Sequence, residues 1–194
     1  MREMIKLFVV IVLFSIVSGG GLAALRGATK DRIEMQQLKF VKGPTLAKIL
    51  KGCENDYLAD RFKIADGEVQ RDFFVGKFNG KRNVVAFEAF GKGFGGDIGV
   101  IVAVNVETDK IVGVGITTHS ETPGLGARIK TEEAFTAQFK GMSIKEPFKV
   151  KADGGQVDAI SGATVSSRGV CGAMVKLGEI YTRLKDQIVE KLKA

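Results

Sequence analysis

Phe73-Phe74-Val75-Gly76-Lys77-Phe78-Asn79-Gly80 runs into Lys81-Arg82-Asn83-Val84-Val85-Ala86-Phe87-Glu88-Ala89-Phe90. Asn-Gly between two apolar runs rich in Val and Phe is a strong hairpin signal. Both residues tolerate the positive φ that a tight two-residue turn demands. The stretch therefore predicts antiparallel strands over 73–78 and 83–90. C-terminal to it, Gly91-Lys92-Gly93-Phe94-Gly95-Gly96 leads to an apolar strand over 98–106, Glu107-Thr108-Asp109 turns, and 110–117 returns. Thr131 is expected to cap a helix that carries Phe135 and Phe139 and stops at Gly141. Residues 148–152 and 156–160, around Asp153-Gly154-Gly155, read as a last hairpin. Hairpins outnumber helical crossovers, so the expected fold class is α+β: a mainly antiparallel sheet packed by helices, with an N-terminal transmembrane helix.

The C-terminal helix is the most regular signal. Val170, Ala173, Met174, Leu177, Ile180, Tyr181, Leu184, Ile188 and Leu192 recur at spacings of three and four, one apolar stripe several turns long. Thr164, Ser166 and Ser167 are all possible N-caps. Gly169, Gly172 and Gly178 each cost about 1 kcal/mol of helix propensity, which calls for something close to the backbone, another element or a ligand. Just ahead of this helix stands Asp158-Ala159-Ile160-Ser161-Gly162-Ala163-Thr164. Helix N-termini hold anions, because their first N–H groups lack partners and the macrodipole is positive there. As residues alone, this run reads first as an ordinary turn and cap, and only second as a phosphate site.

Near the start, residues 7–25 are 19 positions without a charge, flanked by Arg2, Lys6 and Arg26. That run nearly spans a hydrocarbon core of ~30 Å. The rival reading is a signal peptide, with Ser18-Gly19-Gly20-Gly21 as a small-residue cleavage site. Either reading sends the rest of the chain across a membrane. The expected organisation is a membrane anchor over 1–29 and an extracytoplasmic domain over 30–194. After the anchor, 30–50 is charged and helix-prone, interrupted at Gly43-Pro44, with Thr45 as a possible cap.

Composition narrows the function. The chain has 194 residues, a formal charge of +7, one His, two Cys and no Trp. Lysines are scattered, and the 13 Phe read mostly as core, so nucleic-acid binding is not expected; a basic face toward anionic lipid is. Cys53 and Cys171 form no CxxC and have no His beside them, which argues against zinc and iron–sulfur sites. They read as two buried thiols, although one disulfide is open to them outside the cytoplasm. The glycine run at 91–96 is followed by Asp97 and a strand, not a helix, so it is no dinucleotide fingerprint, and no Walker pattern is present. His119-Ser120-Glu121-Thr122-Pro123-Gly124-Leu125-Gly126-Ala127-Arg128-Ile129 is a loop by pattern. His119 has no nucleophile placed with it, so no catalytic residue and no metal ligand is assigned.

Three segments in order, 91–96, 119–129 and 158–164, behind an N-terminal anchor, resemble the G subunit of the Rnf electron-transport complex, of the FMN-binding domain family. A close relative of that family is the C subunit of the sodium-pumping NADH:quinone reductase. The resemblance implies covalent FMN, joined to Thr164 by a phosphoester bond. It implies that Asp158, Ser161, Gly162 and Ala163 form the recognition sequence of a flavin transferase that draws FMN from FAD with magnesium. Glu121, Thr122, Leu125 and Gly126 would line the isoalloxazine ring, and Lys151 would contact ring or phosphate. Phe94 stands where a tyrosine is frequent. The implied function is electron transfer within an ion-translocating ferredoxin:NAD oxidoreductase, as a single-pass protein of the cytoplasmic (inner) membrane with its soluble domain outside. Its partners would be the other membrane and redox Rnf subunits. Two other readings stay open: an extracytoplasmic FMN carrier for another reductase, and a non-redox membrane-anchored ligand-binding domain.

Overall fold

A computed structural model describes residues 1–193, Asp31 by its backbone alone. Contacts divide the chain into two units, Met1–Phe40 and Val41–Ala194. The first unit is largely α1, Arg2–Gln36. Its portion Arg2–Lys30 has 29 residues, long and apolar enough to cross a membrane, and Leu7, Phe8, Ile11 and Phe14 are all exposed on it. A π-helical stretch, Gln37–Lys42, leads to α2, Gly43–Ile49, with Pro44 in its first turn, where a missing N–H costs nothing. Thr45 is therefore inside α2 rather than ahead of it, and its hydroxyl donates to the Ile116 carbonyl.

Five strands follow: β1 Arg61–Asp66, β2 Val69–Phe78, β3 Lys81–Lys92, β4 Asp97–Asn105 and β5 Lys110–Ile116. They lie side by side in sequence order, every neighbour antiparallel. Asn79 (φ 52°) and Gly80 (φ 74°) make the expected β2–β3 turn. β1 and the start of β2 are additions to the sequence reading; Gly67 (φ 65°) turns between them.

The sheet has two covered faces. On one, Phe73, Phe87, Val100 and Val102 join a core with Val170, Met174, Leu177 and Tyr181 of α5, Thr164–Lys193. Every residue of the predicted helical stripe is buried. Each large apolar side chain so buried contributes about 1.5–3 kcal/mol before entropy is counted. Two of the three helix glycines have a packing reason. A Cβ at Gly169 would lie 2.7 Å from the Lys92 carbonyl oxygen, and one at Gly178 would lie 2.4 Å from that of Ile144. Gly91 of β3 meets the same helix: its Cβ would fall 1.8 Å from the Gly169 oxygen. The opposite face buries Phe74, Ala86, Ile101 and Ala103, and α2 covers its β4–β5 side. Gly113 and Gly115 admit α2, since a Cβ there would meet Ile49 and Thr45.

Two local expectations are corrected. Thr131 ends a short helix, α3 (Arg128–Thr131), and Glu132, extended at φ −84° and ψ 99°, precedes α4 (Glu133–Ala137). Phe139 is buried beyond the end of α4. The last hairpin is replaced by one bridge, Val150 to Val157, around a 3-10 turn at Lys151–Asp153. Gly155 presses on the Lys149 carbonyl there, 2.1 Å from a would-be Cβ, which folds the segment too tightly for a ladder. Cys171 is buried, Cys53 is half-buried, and both are free thiols.

Candidate functional site

The start of α5 is held from several directions. The first i→i−4 bond runs from the Ser167 amide to the Ala163 carbonyl, so the amides of Thr164, Val165 and Ser166 precede it and belong to the positive end of the helix. Ser167, fully buried, stitches the turn before the helix: its hydroxyl donates to the Ala163 carbonyl at 3.0 Å and accepts from the Ile160 amide at 3.1 Å. Gly162 takes φ 79°, a left-handed conformation that favours glycine. Arg128 donates from Nη1 to the Ser161 carbonyl at 3.0 Å. Gln138 grips Asp158 by its backbone, accepting from its amide at 2.7 Å and donating to its carbonyl at 3.1 Å. The Asp158 carboxylate is exposed and pairs with Lys151 at 2.8 Å. Thr164 is half-buried and its hydroxyl enters none of these bonds; Ser161 and Gly162 are exposed and Ala163 is buried.

A second layer centres on Glu121, which is only 5% exposed. Its Oε1 accepts from the Gly95 amide at 2.8 Å, and its Oε2 accepts a short hydrogen bond from the Ser166 hydroxyl. One carboxylate thus ties the glycine loop to the first turn of α5. Burial alone would raise this carboxyl; the Ser166 hydroxyl and the Gly95 and Phe94 amides outweigh it and hold the group below the ordinary range. The glycines are what the contact needs. A Cβ at Gly93 would lie 2.4 Å from Glu121 Oε1, and one at Gly126 would lie 2.7 Å from Ser166 Oγ. His119 Nδ1 accepts from the Glu121 amide at 3.3 Å. Burial, then the charge of Lys130, lowers the His119 pKa, so the ring is neutral at pH 7.

These bonds draw the three sequence segments to one place. Leu125 lies by the Thr164 turn, its Cδ2 3.5 Å from a would-be Cβ on Gly162. Phe94 of the first segment, Leu125 of the second and Val165, just after the third, are exposed at 77%, 51% and 44%. Thr122 is exposed, and its carbonyl accepts from Leu125 and Ala127 in the loop turn. Among the described residues, Lys151 reaches the cluster through its ion pair with Asp158. Arg128, Gln138, Ser166 and Ser167 are the supports that sequence reasoning did not single out for this role. Exposed apolar side chains suit contact with a flat ring, and the amides at the helix start suit an anion such as phosphate. Among the described residues, no group of three or more His, Cys, Asp or Glu is placed to hold a metal ion.

Known proteins resemble this chain over the same segments. Residues 93–177, from the glycine loop into α5, match the model of the FMN-binding domain. The G subunit of an ion-translocating oxidoreductase complex from Cereibacter sphaeroides is 33% identical, over 93% of this chain and 85% of that protein. Its counterpart in Methanosarcina acetivorans is 32% identical, over 89% and 92%. Among solved structures, the C subunit of the Na+-translocating NADH-quinone reductase from Parabacteroides distasonis superposes with a TM-score of 0.51. It is 28% identical, with 68% of this chain and 71% of that one covered. Shewanella oneidensis NqrC shares the fold, with a TM-score of 0.53 at 24% identity, over 72% and 75%.

Proposed function

The chain belongs to the family of G subunits of ion-translocating oxidoreductase complexes, and on that premise we propose that it is a membrane-anchored flavoprotein that passes electrons through FMN held covalently on Thr164. The observation that carries the reading is the set of bonds that gathers the 91–96, 119–129 and 158–164 segments around the first residue of α5. The matched FMN-binding domain includes all of the glycine loop from Gly93 and the Thr164 turn. The family membership supports partnership with the other subunits of such a complex, and α1 supports anchoring by a single span.

Flavin supplies the redox chemistry when bound, and the protein supplies position and field. Thr164 provides the oxygen of the phosphoester. In its formation by a flavin transferase, that oxygen bonds to the FMN-side phosphorus of FAD, the pyrophosphate bond breaks, AMP leaves and the hydroxyl proton passes to solvent. No electrons move in that step. The amides of the first α5 turn would hold the remaining phosphate charge. Leu125, Thr122 and Gly126 offer the ring a wall, and Glu121 shapes that wall from behind through Gly95 and Ser166. Asp158, Ser161, Gly162 and Ala163 present the sequence the transferase reads, with Lys151 steadying Asp158. The soluble unit stands on the extracytoplasmic side, where a tether keeps the cofactor from being lost by dilution.

The test is intact mass after coexpression with a flavin transferase and magnesium. A gain of one FMN less water, located on the peptide containing Thr164 and absent in Thr164→Ala, is the expected result. An unmodified peptide under those conditions would refute the assignment.

A further inference from the structure

A second site stands apart from the Thr164 turn. A cleft of about 820 Å³ opens between α2 and α4, with β5 along its floor. β5 is the last strand of the sheet, paired with β4. On its outer side the 141–143 segment holds its start, through the Lys110 to Ser143 bridge and the Gly141 amide on the Ile111 carbonyl, and the Thr45 hydroxyl donates to the Ile116 carbonyl. From Val112 to Ile116, β5 lines the cleft. The charge along the walls is one-sided: Lys48 and Lys51 from α2 and its end, Lys130 from α3 and Lys140 past the end of α4, against the carboxylate of Glu133. Glu133 is already engaged by Lys48 at 3.5 Å, and that pair is exposed at both ends and hence weak. Lys130 donates to the Thr117 carbonyl at 3.1 Å. Lys51 and Lys140 enter no ion pair with the other described residues.

We propose that this cleft receives an extended acidic segment of a partner protein in the complex, laid along the outer edge of β5 with its carboxylates between the lysines. The occupant being a fellow member of the complex rests on the family membership above; the site itself rests on the cleft. An edge strand offers main-chain donors and acceptors at every second residue, which a strand-like peptide satisfies. Lysines on facing walls match carboxylates projecting from such a strand, and water is squeezed out between them. A flat bilayer surface cannot reach a floor set between two helices, so a chain fits the cleft better than lipid headgroups do.

The full chain in detergent, without flavin, is mixed with a fluorescent synthetic peptide of alternating glutamate and valine. Saturable binding is expected, weakening as ionic strength rises and falling about tenfold or more with Lys51→Glu combined with Lys140→Glu. The Val114 and Ile116 amides, which face away from β4, gain protection from hydrogen exchange. Undiminished binding by the double variant, or no protection at those amides, overturns the proposal. So does the absence of saturable peptide binding; if vesicles of equal phosphatidylglycerol and phosphatidylethanolamine then protect those amides, and not α1 alone, the cleft belongs to lipid. The measurement needs no flavin, so its failure leaves the Thr164 assignment untouched, and a bare Thr164 leaves the cleft untouched.

Discussion

Glu121→Ala removes one carboxylate from between two donors, and the two losses are unequal. The Gly95 amide sits in an exposed loop, so water replaces its acceptor at little cost. Ser166 is 2% exposed, and its hydroxyl loses a charge-assisted bond with no water to take over. A buried polar group left alone costs about 1–3 kcal/mol. A further small loss comes from the gap left beside Gly93 and Gly126. The expected total is about 2–3 kcal/mol, which lowers the Tm of a unit of this size by roughly 4–10 °C. Glu121→Gln keeps an acceptor for Gly95 and costs about 1 kcal/mol, the difference between charged and neutral hydrogen bonds. The assay is calorimetric unfolding of the flavin-free chain, because ring contacts cannot contribute there. The pH dependence follows from the lowered carboxyl. Its stabilisation is complete above the unfolded value near ~4 and fades as pH falls through the lower folded value, so the gap between wild type and Glu121→Ala narrows in acid. A flavin-free Glu121→Ala chain that unfolds at the wild-type temperature would refute the support role.

Other perturbations follow from the same bonds. Gly91→Ala drives a methyl into the Gly169 carbonyl and the Ala173 amide, backbone atoms that can only separate; a loss of about 3 kcal/mol or more in chemical denaturation is expected. Asp66 accepts from Arg71 and from two nitrogens of the Arg183 fork, and the Arg183 bonds, then the Arg71 bond, hold its carboxyl down to about 2. Asp66→Asn should cost about 1 kcal/mol at pH 7. That cost should shrink as pH falls below about 4 and be gone below about 2, as an acid titration followed by circular dichroism will report. Gln138→Ala releases the backbone of Asp158. It should slow flavin attachment in a timed mass assay while shifting Tm by only about 2–4 °C.

The parts of the fold that sequence made legible are those with a local cause. The α5 stripe is a period, and Asn79-Gly80 is a turn chemistry that few other pairs supply. β1 escaped because Arg61, Lys63 and Asp66 interrupt its apolar pattern. It is an edge strand, and charges suit an edge. The α3–α4 break escaped because Phe135 and Phe139 have helical spacing, while the decisive event is the extended backbone of Glu132. In the site, the position of Thr164 followed from the helix that it opens. The bond between Glu121 and Ser166 joins residues 45 apart, and the Gln138 grip spans 20. No periodicity announces either, because each depends on where the sheet carries its loops. The glycines at 93, 95 and 126 were visible as letters, but what they make room for is a tertiary fact.

Gln138 touches Asp158 through main-chain atoms only. That hold is consequently the same for any side chain at 158 that leaves the amide N–H in place, while the Asp158 carboxylate acts separately, through its exposed pair with Lys151. On the proposed function, a change of side chain there alters how the transferase reads the loop while the Gln138 hold on the turn is kept. On the same proposal labelling can follow folding, since Asp158, Ser161 and Gly162 are exposed in the folded chain.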